Sequence, residues 1–115
     1  MTPEQIEIAG ALTRIAGWRW LAPMRVFRSS GSAYHLGYEV SSEIMGSALP
    51  DLNDPATAGI LLGMLAPKLH PQDEIAQFEP GIWHIRIKRT DNLFIGSLGE
   101  AVAQALLASV IDETR

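Results

Sequence analysis

Gly81-Ile82-Trp83-His84-Ile85-Arg86-Ile87-Lys88-Arg89 is the stretch that decides the fold. Past its glycine it alternates apolar and polar side chains. A strand points successive side chains to opposite faces, so Trp83, Ile85 and Ile87 share one side and His84, Arg86 and Lys88 the other. One apolar and one polar face predict a half-buried strand over Ile82 to Arg89, packed on one side.

Working toward the C-terminus, Thr90-Asp91-Asn92 reads as a turn and Leu93 to Ile95 as a short returning strand. Ser97-Leu98-Gly99-Glu100 has the capping-box pattern: the serine hydroxyl accepts from the backbone at Glu100 and the glutamate reaches back. It opens a final helix to about Ile111, with Val102, Leu106 and Val110 on its stripe.

Working toward the N-terminus, Pro71 and Pro80 bracket an acidic connection holding Asp73, Glu74 and Glu79, in which Asp73 and Glu74 read as solvated. Asp54-Pro55 is a helix start, cap and first residue. Ala58, Leu61, Leu62 and Leu65 supply its stripe, and Pro67 stops or bends it. Ser41 to Asn53 carries no legible pattern. Ala33 to Val40 alternates again, Tyr34, Leu36, Tyr38 and Val40 against Ala33, His35, Gly37 and Glu39. With Met24 to Arg28 and the Ser29-Ser30-Gly31-Ser32 turn it predicts a hairpin. A first helix starts at the Thr2 cap, with Pro3 at its first position and Gln5 as the capping-box partner. Ile8, Leu12 and Ile15 mark its stripe, and Gly17 is a natural stop.

The predicted order is α-β-β-α-β-β-α: an α+β fold, a small, mostly antiparallel sheet packed with three helices as an α/β sandwich. The 115 residues, 47% hydrophobic, suit one domain over 1–115. The absence of cysteine excludes disulfide scaffolds, thiol nucleophiles and cysteine-ligated metals. A net charge of −4 argues against a general duplex-DNA binder. The N-terminus lacks a secretory pattern, and no apolar stretch reaches the ~20 residues a membrane span needs. The expectation is a cytoplasmic protein, the host cytoplasm if phage-encoded.

Three islands resemble a known family: Ala16-Gly17-Trp18-Arg19-Trp20, Leu49-Pro50-Asp51-Leu52-Asn53-Asp54-Pro55-Ala56-Thr57-Ala58-Gly59 and Leu98-Gly99-Glu100-Ala101-Val102-Ala103-Gln104-Ala105-Leu106. They look like the phage ABA sandwich family, small bacteriophage and prophage proteins mostly of unknown function. The resemblance implies an α/β sandwich and a phage origin, and it brings no catalytic residues. Helices on both faces of the sheet would bury His84, Arg86 and Lys88, which desolvation disfavours.

Charge placement carries most of the functional information. Ile8 to Tyr38 holds Arg14, Arg19, Arg25 and Arg28 and no acid, whereas seven acids lie between Glu39 and Glu79. If all strands form one sheet, its open face is basic on an acidic protein. The candidate ligand-binding residues are Trp18, Arg19, Trp20, Arg25, Arg28, His35, His84, Arg86 and Lys88, the cations for phosphate, with the rings of Trp18, Trp20, Tyr34 and Trp83 able to stack on a base or an arginine. The plainer reading is a solvated strand face protected from edge pairing, with Trp83 in the core. His35 and His84 share no metal-ligand spacing, so no metal or cofactor is expected. Asp51 and Asp54 read as turn and cap residues. The functional expectation is a non-catalytic accessory protein that holds a small anionic, nucleotide-like ligand, such as a host defence signal, in a pocket shared within a homo-oligomer. The alternative is a protein-interaction module presenting Ile44, Met45, Leu49 and Leu52. A hydrolase using His35 and His84 ranks below both.

Overall fold

The computed structural model describes residues 1–113, with side chains described to Val110. The elements are α1 (Pro3–Leu12), β1 (Arg25–Phe27), β2 (Ala33–His35), α2 (Ser42–Met45), β3 (Leu49–Pro50), α3 (Pro55–Leu65), β4 (Glu74–Glu79), β5 (Ile82–Ile87), β6 (Asn92–Gly96) and α4 (Leu98–Glu113). The fold is α+β and all strand pairing is antiparallel. The strands divide into two three-stranded sheets, β2-β1-β3 and β4-β5-β6.

The expected elements are present, with informative differences. The Thr2/Gln5 capping box forms, yet α1 ends at Leu12, well before Gly17. Thr13 donates its hydroxyl to the Gly10 carbonyl, and the chain tightens into short turns before Gly17 takes φ +84°. Asp54 caps α3 as read, accepting from the Thr57 amide, and Pro67 falls in a 3₁₀ turn, Ala66–Lys68, that closes the helix.

The acidic connection before Pro80 is itself a strand. β4 pairs with β5 through Ile75↔Ile85 and Gln77↔Trp83, and Pro80-Gly81 makes the turn between them. Its acids sit at the two ends, Glu74 and Glu79, while Ile75 packs against the core. The segment without pattern forms α2, capped by Ser41, and the two-residue strand β3. At the far end of β5, Lys88 and Arg89 leave the strand for a 3₁₀ turn, Lys88–Thr90, closed by Asp91 in the left-handed region.

α4 lies at the centre. It packs on α1, α3, β5 and β6. Ala101, Val102, Ala103, Ala105 and Leu106 are all buried, because a helix enclosed on several sides needs small side chains where its neighbours approach. Glu100 departs from the capping-box expectation. Its amide donates to the Ser97 hydroxyl, but its carboxylate accepts from Gln5 Nε2 at 2.9 Å. Gln5 also exchanges hydrogen bonds with Asn53, so one buried amide links α1, the approach to α3 and α4. Ile85 and the inner face of β4-β5-β6 rest on α4. The outer face of that sheet is open, with Phe78, Ile82, Leu93 and Ile95 exposed.

Candidate functional site

The nine candidate residues do not gather on one face, because the strands that carry them belong to two sheets. Arg25 and His35 are cross-strand partners in the first sheet, with Arg28 just beyond β1. His84 and Arg86 stand on the outer face of the second, and Lys88 has left the strand. The expected shared basic face is therefore corrected to two separate surfaces.

Most of these cations also have an acidic partner. Arg19 Nε lies 2.8 Å from a Glu39 carboxylate oxygen and its Nη2 lies 3.0 Å from the other, a two-pronged contact that raises the arginine and lowers the glutamate from their ordinary pKa values. Arg25 lies 3.3 Å from the buried Asp51 carboxylate, and Arg86 has a loose, exposed contact with Asp91 at 3.8 Å. His35 Nε2 is 3.1 Å from Asp54. In that cluster Asp54 is the central group, holding both His35 and the Thr57 hydroxyl. A nucleophilic triad needs the histidine between acid and hydroxyl, so this arrangement does not activate Thr57. Among the described residues, no group of three or more His, Asp or Glu could hold a metal ion.

The two tryptophans are in the core. Trp18 is 8% and Trp20 2% exposed, and their rings meet edge to face at 5.4 Å. Neither presents a face for stacking. The interaction patch expected in the 41–53 segment is also mostly interior: Met45 and Leu52 are buried, Leu49 is half-buried, and only Ile44 stands out.

Arg28 differs from the others. Its Nε–H donates to the Tyr34 hydroxyl at 2.9 Å, its guanidinium lies over the Tyr34 ring, and Nη1 donates to the Met45 carbonyl at 3.3 Å. All these partners are uncharged, and among the described residues no carboxylate pairs with it. Arg28 also separates two open clefts. One, of about 320 Å³, is walled by Met1, Ile6, Phe27 and Leu49 with Ser29 and Ser47 at its rim. The other, of about 300 Å³, is walled by Tyr34, His35, Tyr38, Val40 and Ile44. From sequence, Tyr34 is a ring able to stack on a base or an arginine, whereas Tyr38 reads only as one side of an alternating strand. The predicted hairpin brings the Tyr34 strand beside the Arg28 strand, but the sequence did not show that Arg28 would lack an acidic partner there.

Asp54 and Asp73 make the fold acid-sensitive. For each, partial burial alone would raise the carboxyl, but hydrogen bonds more than offset it. Asp54 is lowered by the Thr57 amide, His35 and the Thr57 hydroxyl. Asp73 is lowered by the His70 and Lys88 amides at 2.8 and 2.9 Å, then by the nearby charges of His70 and Arg89. Asp73, read from sequence as solvated, thus ties the approach to β4 to the end of β5. Because both folded values are depressed, their contribution is complete well above the ordinary carboxylate pKa of about 4 and is lost as pH falls through the folded values. Thermal melts are expected to show Tm dropping below about pH 4, with a shallower drop in Asp73→Asn. An equally steep acid slope in that variant would show that Asp73 carries none of it.

No helix among the described residues is long and apolar enough to cross a membrane. Comparison with family models, curated proteins and solved structures finds no match to this chain, so its function has to be argued from the Arg28 clefts themselves.

Proposed function

We propose that this is a non-catalytic binding protein for a small anionic ligand with an apolar or planar body, held at Arg28 between Tyr34 and Tyr38. The observation that carries this reading is the arginine with only uncharged partners at the junction of two apolar-walled clefts. A concave apolar site with one or two converging polar groups is the usual form of a small-molecule site. A carboxylate or phosphate oxygen would meet the guanidinium through charge-assisted hydrogen bonds. Tyr38 and Ile44 would cover the body of the ligand, and His35 would face it from the strand edge.

One lone guanidinium suits a singly charged head better than a polyphosphate, which narrows the nucleotide-like expectation to cyclic phosphates and other phosphodiesters, with aromatic carboxylates beside them. Sequestration of a host defence signal is the biological reading by analogy with small phage proteins that act as sponges. Calorimetry with a panel of these compounds tests the proposal. Arg28→Ala is expected to weaken the best binder about 10- to 100-fold, the range for one lost charged hydrogen-bonding group. Arg28→Lys keeps the charge and should recover part of the affinity, since lysine cannot reproduce the planar fork. Binding that survives Arg28→Ala at full strength, or no binding by folded protein across the panel, would remove the proposal.

A further inference from the structure

The two clefts that meet at Arg28 are lined differently. Phe27 and Leu49, cross-strand partners on β1 and β3, are half-buried in the first. Ile6 of α1, 47% exposed, lines it as well, with Met1, whose Sδ accepts the Leu52 amide at 3.4 Å. Three of these four side chains are flexible and unringed, and apart from Arg28 the polar side chains are Ser29 and Ser47. The second cleft holds the rings of Tyr34, Tyr38 and His35 beside Val40 and Ile44. Arg28 lines both and is the one permanently charged side chain in either.

Its guanidinium has donors to spare. Nε–H goes to the Tyr34 hydroxyl, and Nη1 gives one hydrogen to the Met45 carbonyl. Nη2 meets only the Met45 Sδ, at 3.9 Å. Each terminal nitrogen carries two hydrogens, so both can still donate to a ligand.

We infer that the ligand is an open phosphodiester with two unlike arms, a planar one between the tyrosines and an aliphatic one in the cleft of Ile6, Phe27 and Leu49. The inference rests on the reading of Arg28 as the anion-binding group. Charge is the first argument. A phosphodiester carries one negative charge, against about two for a monoester, and its two free oxygens match the two terminal nitrogens. Connectivity is the second. A carboxylate has one body, and a cyclic phosphate returns both ester oxygens to the same body. An open diester sends an arm to either side of its phosphorus, as the clefts lie to either side of Arg28. Size is the third. At about 320 and 300 Å³ each cleft alone is at the lower end of the ~300–1,000 Å³ of small-molecule sites, and the pair falls well inside it. The linings assign the arms: tyrosine faces stack on a planar group, whereas methionine adapts to a flexible chain. An apolar segment of protein could fill the first cleft, but it would leave the guanidinium unmatched.

Calorimetry of the full chain with phenyl alkyl phosphodiesters, the alkyl arm methyl, propyl or pentyl, tests this. Full burial of a methylene is worth about fourfold in affinity, and an open cleft captures part of it. Affinity is expected to rise about two- to threefold per methylene, at least about 15-fold from methyl to pentyl. Ile6→Asn puts an amide without a partner in the wall and should cut that gain below about threefold, with a wild-type melt. Arg28→Ala should weaken every member of the series. Equal affinity for the methyl and pentyl diesters overturns the inference, as does a gain untouched by Ile6→Asn, which would place the chain elsewhere. Either result leaves the Arg28 reading standing if Arg28→Ala still weakens binding. Binding of aromatic carboxylates but of no diester also overturns the inference alone, whereas binding of neither removes both.

Discussion

Gly99→Ala is expected to destabilise the protein by about 3 kcal/mol, although alanine in place of glycine ordinarily strengthens a helix by ~1 kcal/mol. Gly99 lies in the first turn of α4, where the helix meets the backbone of Leu52. A methyl group at Gly99 would collide with the Leu52 carbonyl oxygen and sit 2.9 Å from its carbonyl carbon. That backbone cannot swing aside. Asp51 donates its amide to the Arg25 carbonyl, Asn53 donates to the Asp51 carboxylate and bonds Gln5, and Asp54 begins the capping of α3. The remaining way to relieve the clash is to move α4, which also bears on α1, α3, β5 and β6. Overpacking against a fixed neighbour typically costs ~1–3 kcal/mol, and here every surrounding element resists. Gly63→Ala is the internal control. Gly63 is an exposed position of α3 with open space where the methyl would go, so the helix preference acts alone and a gain of about 0.5–1 kcal/mol is expected. Urea titration of both variants gives the comparison. Equal stability of Gly99→Ala and wild type would mean that α4 does not seat on the Leu52 backbone.

The elements that were legible are those whose signal is local. The β5 alternation, the Asp54-Pro55 start and the Thr2/Gln5 box depend on neighbours within a few positions, and each is present where its residues put it. β4 was hidden by its composition. Glu74 and Glu79 look like a solvated connection, while Ile75 and Ile85 meet only through the pairing of β4 with β5. The Pro80-Gly81 pair directly before an alternating strand was the available hairpin signal. β3 has two residues and α2 four, too short for any period to show. The division into two sheets is a tertiary fact. Local alternation says which side of a strand is apolar, but not which strand lies beside it, and the expected convergence of cations depended on that. Each acid partner of Arg19, Arg25 and Arg86 is likewise fixed by the fold: Glu39 lies 20 residues from Arg19. Arg28 differs because the side chain it meets across the hairpin is the Tyr34 hydroxyl and not a carboxylate.

Trp20→Ala is expected to cost about 3–5 kcal/mol, the range for emptying a buried aromatic site, out of a total stability of about 5–15 kcal/mol for a domain. Trp20 is 2% exposed, and its backbone bridges to Val40, so it fastens the segment after α1 to the end of the β2 arm. Trp18→Phe should behave differently. Trp18 Nε1 is buried with no hydrogen-bond partner, a defect of about 1–3 kcal/mol that phenylalanine removes. Phenylalanine keeps an edge-to-face contact with Trp20, a contact worth about 0.5–1.5 kcal/mol, and gives up only part of the indole's buried area. Losses and gains offset, so the variant should fall within about 1 kcal/mol of wild type. The pair also separates core from site. If the indoles are core, Trp18→Phe leaves ligand affinity at the wild-type level while Arg28→Ala lowers it. A Trp18→Phe protein with a wild-type melt and lost binding would return the indole to the ligand site and displace Arg28 as its centre.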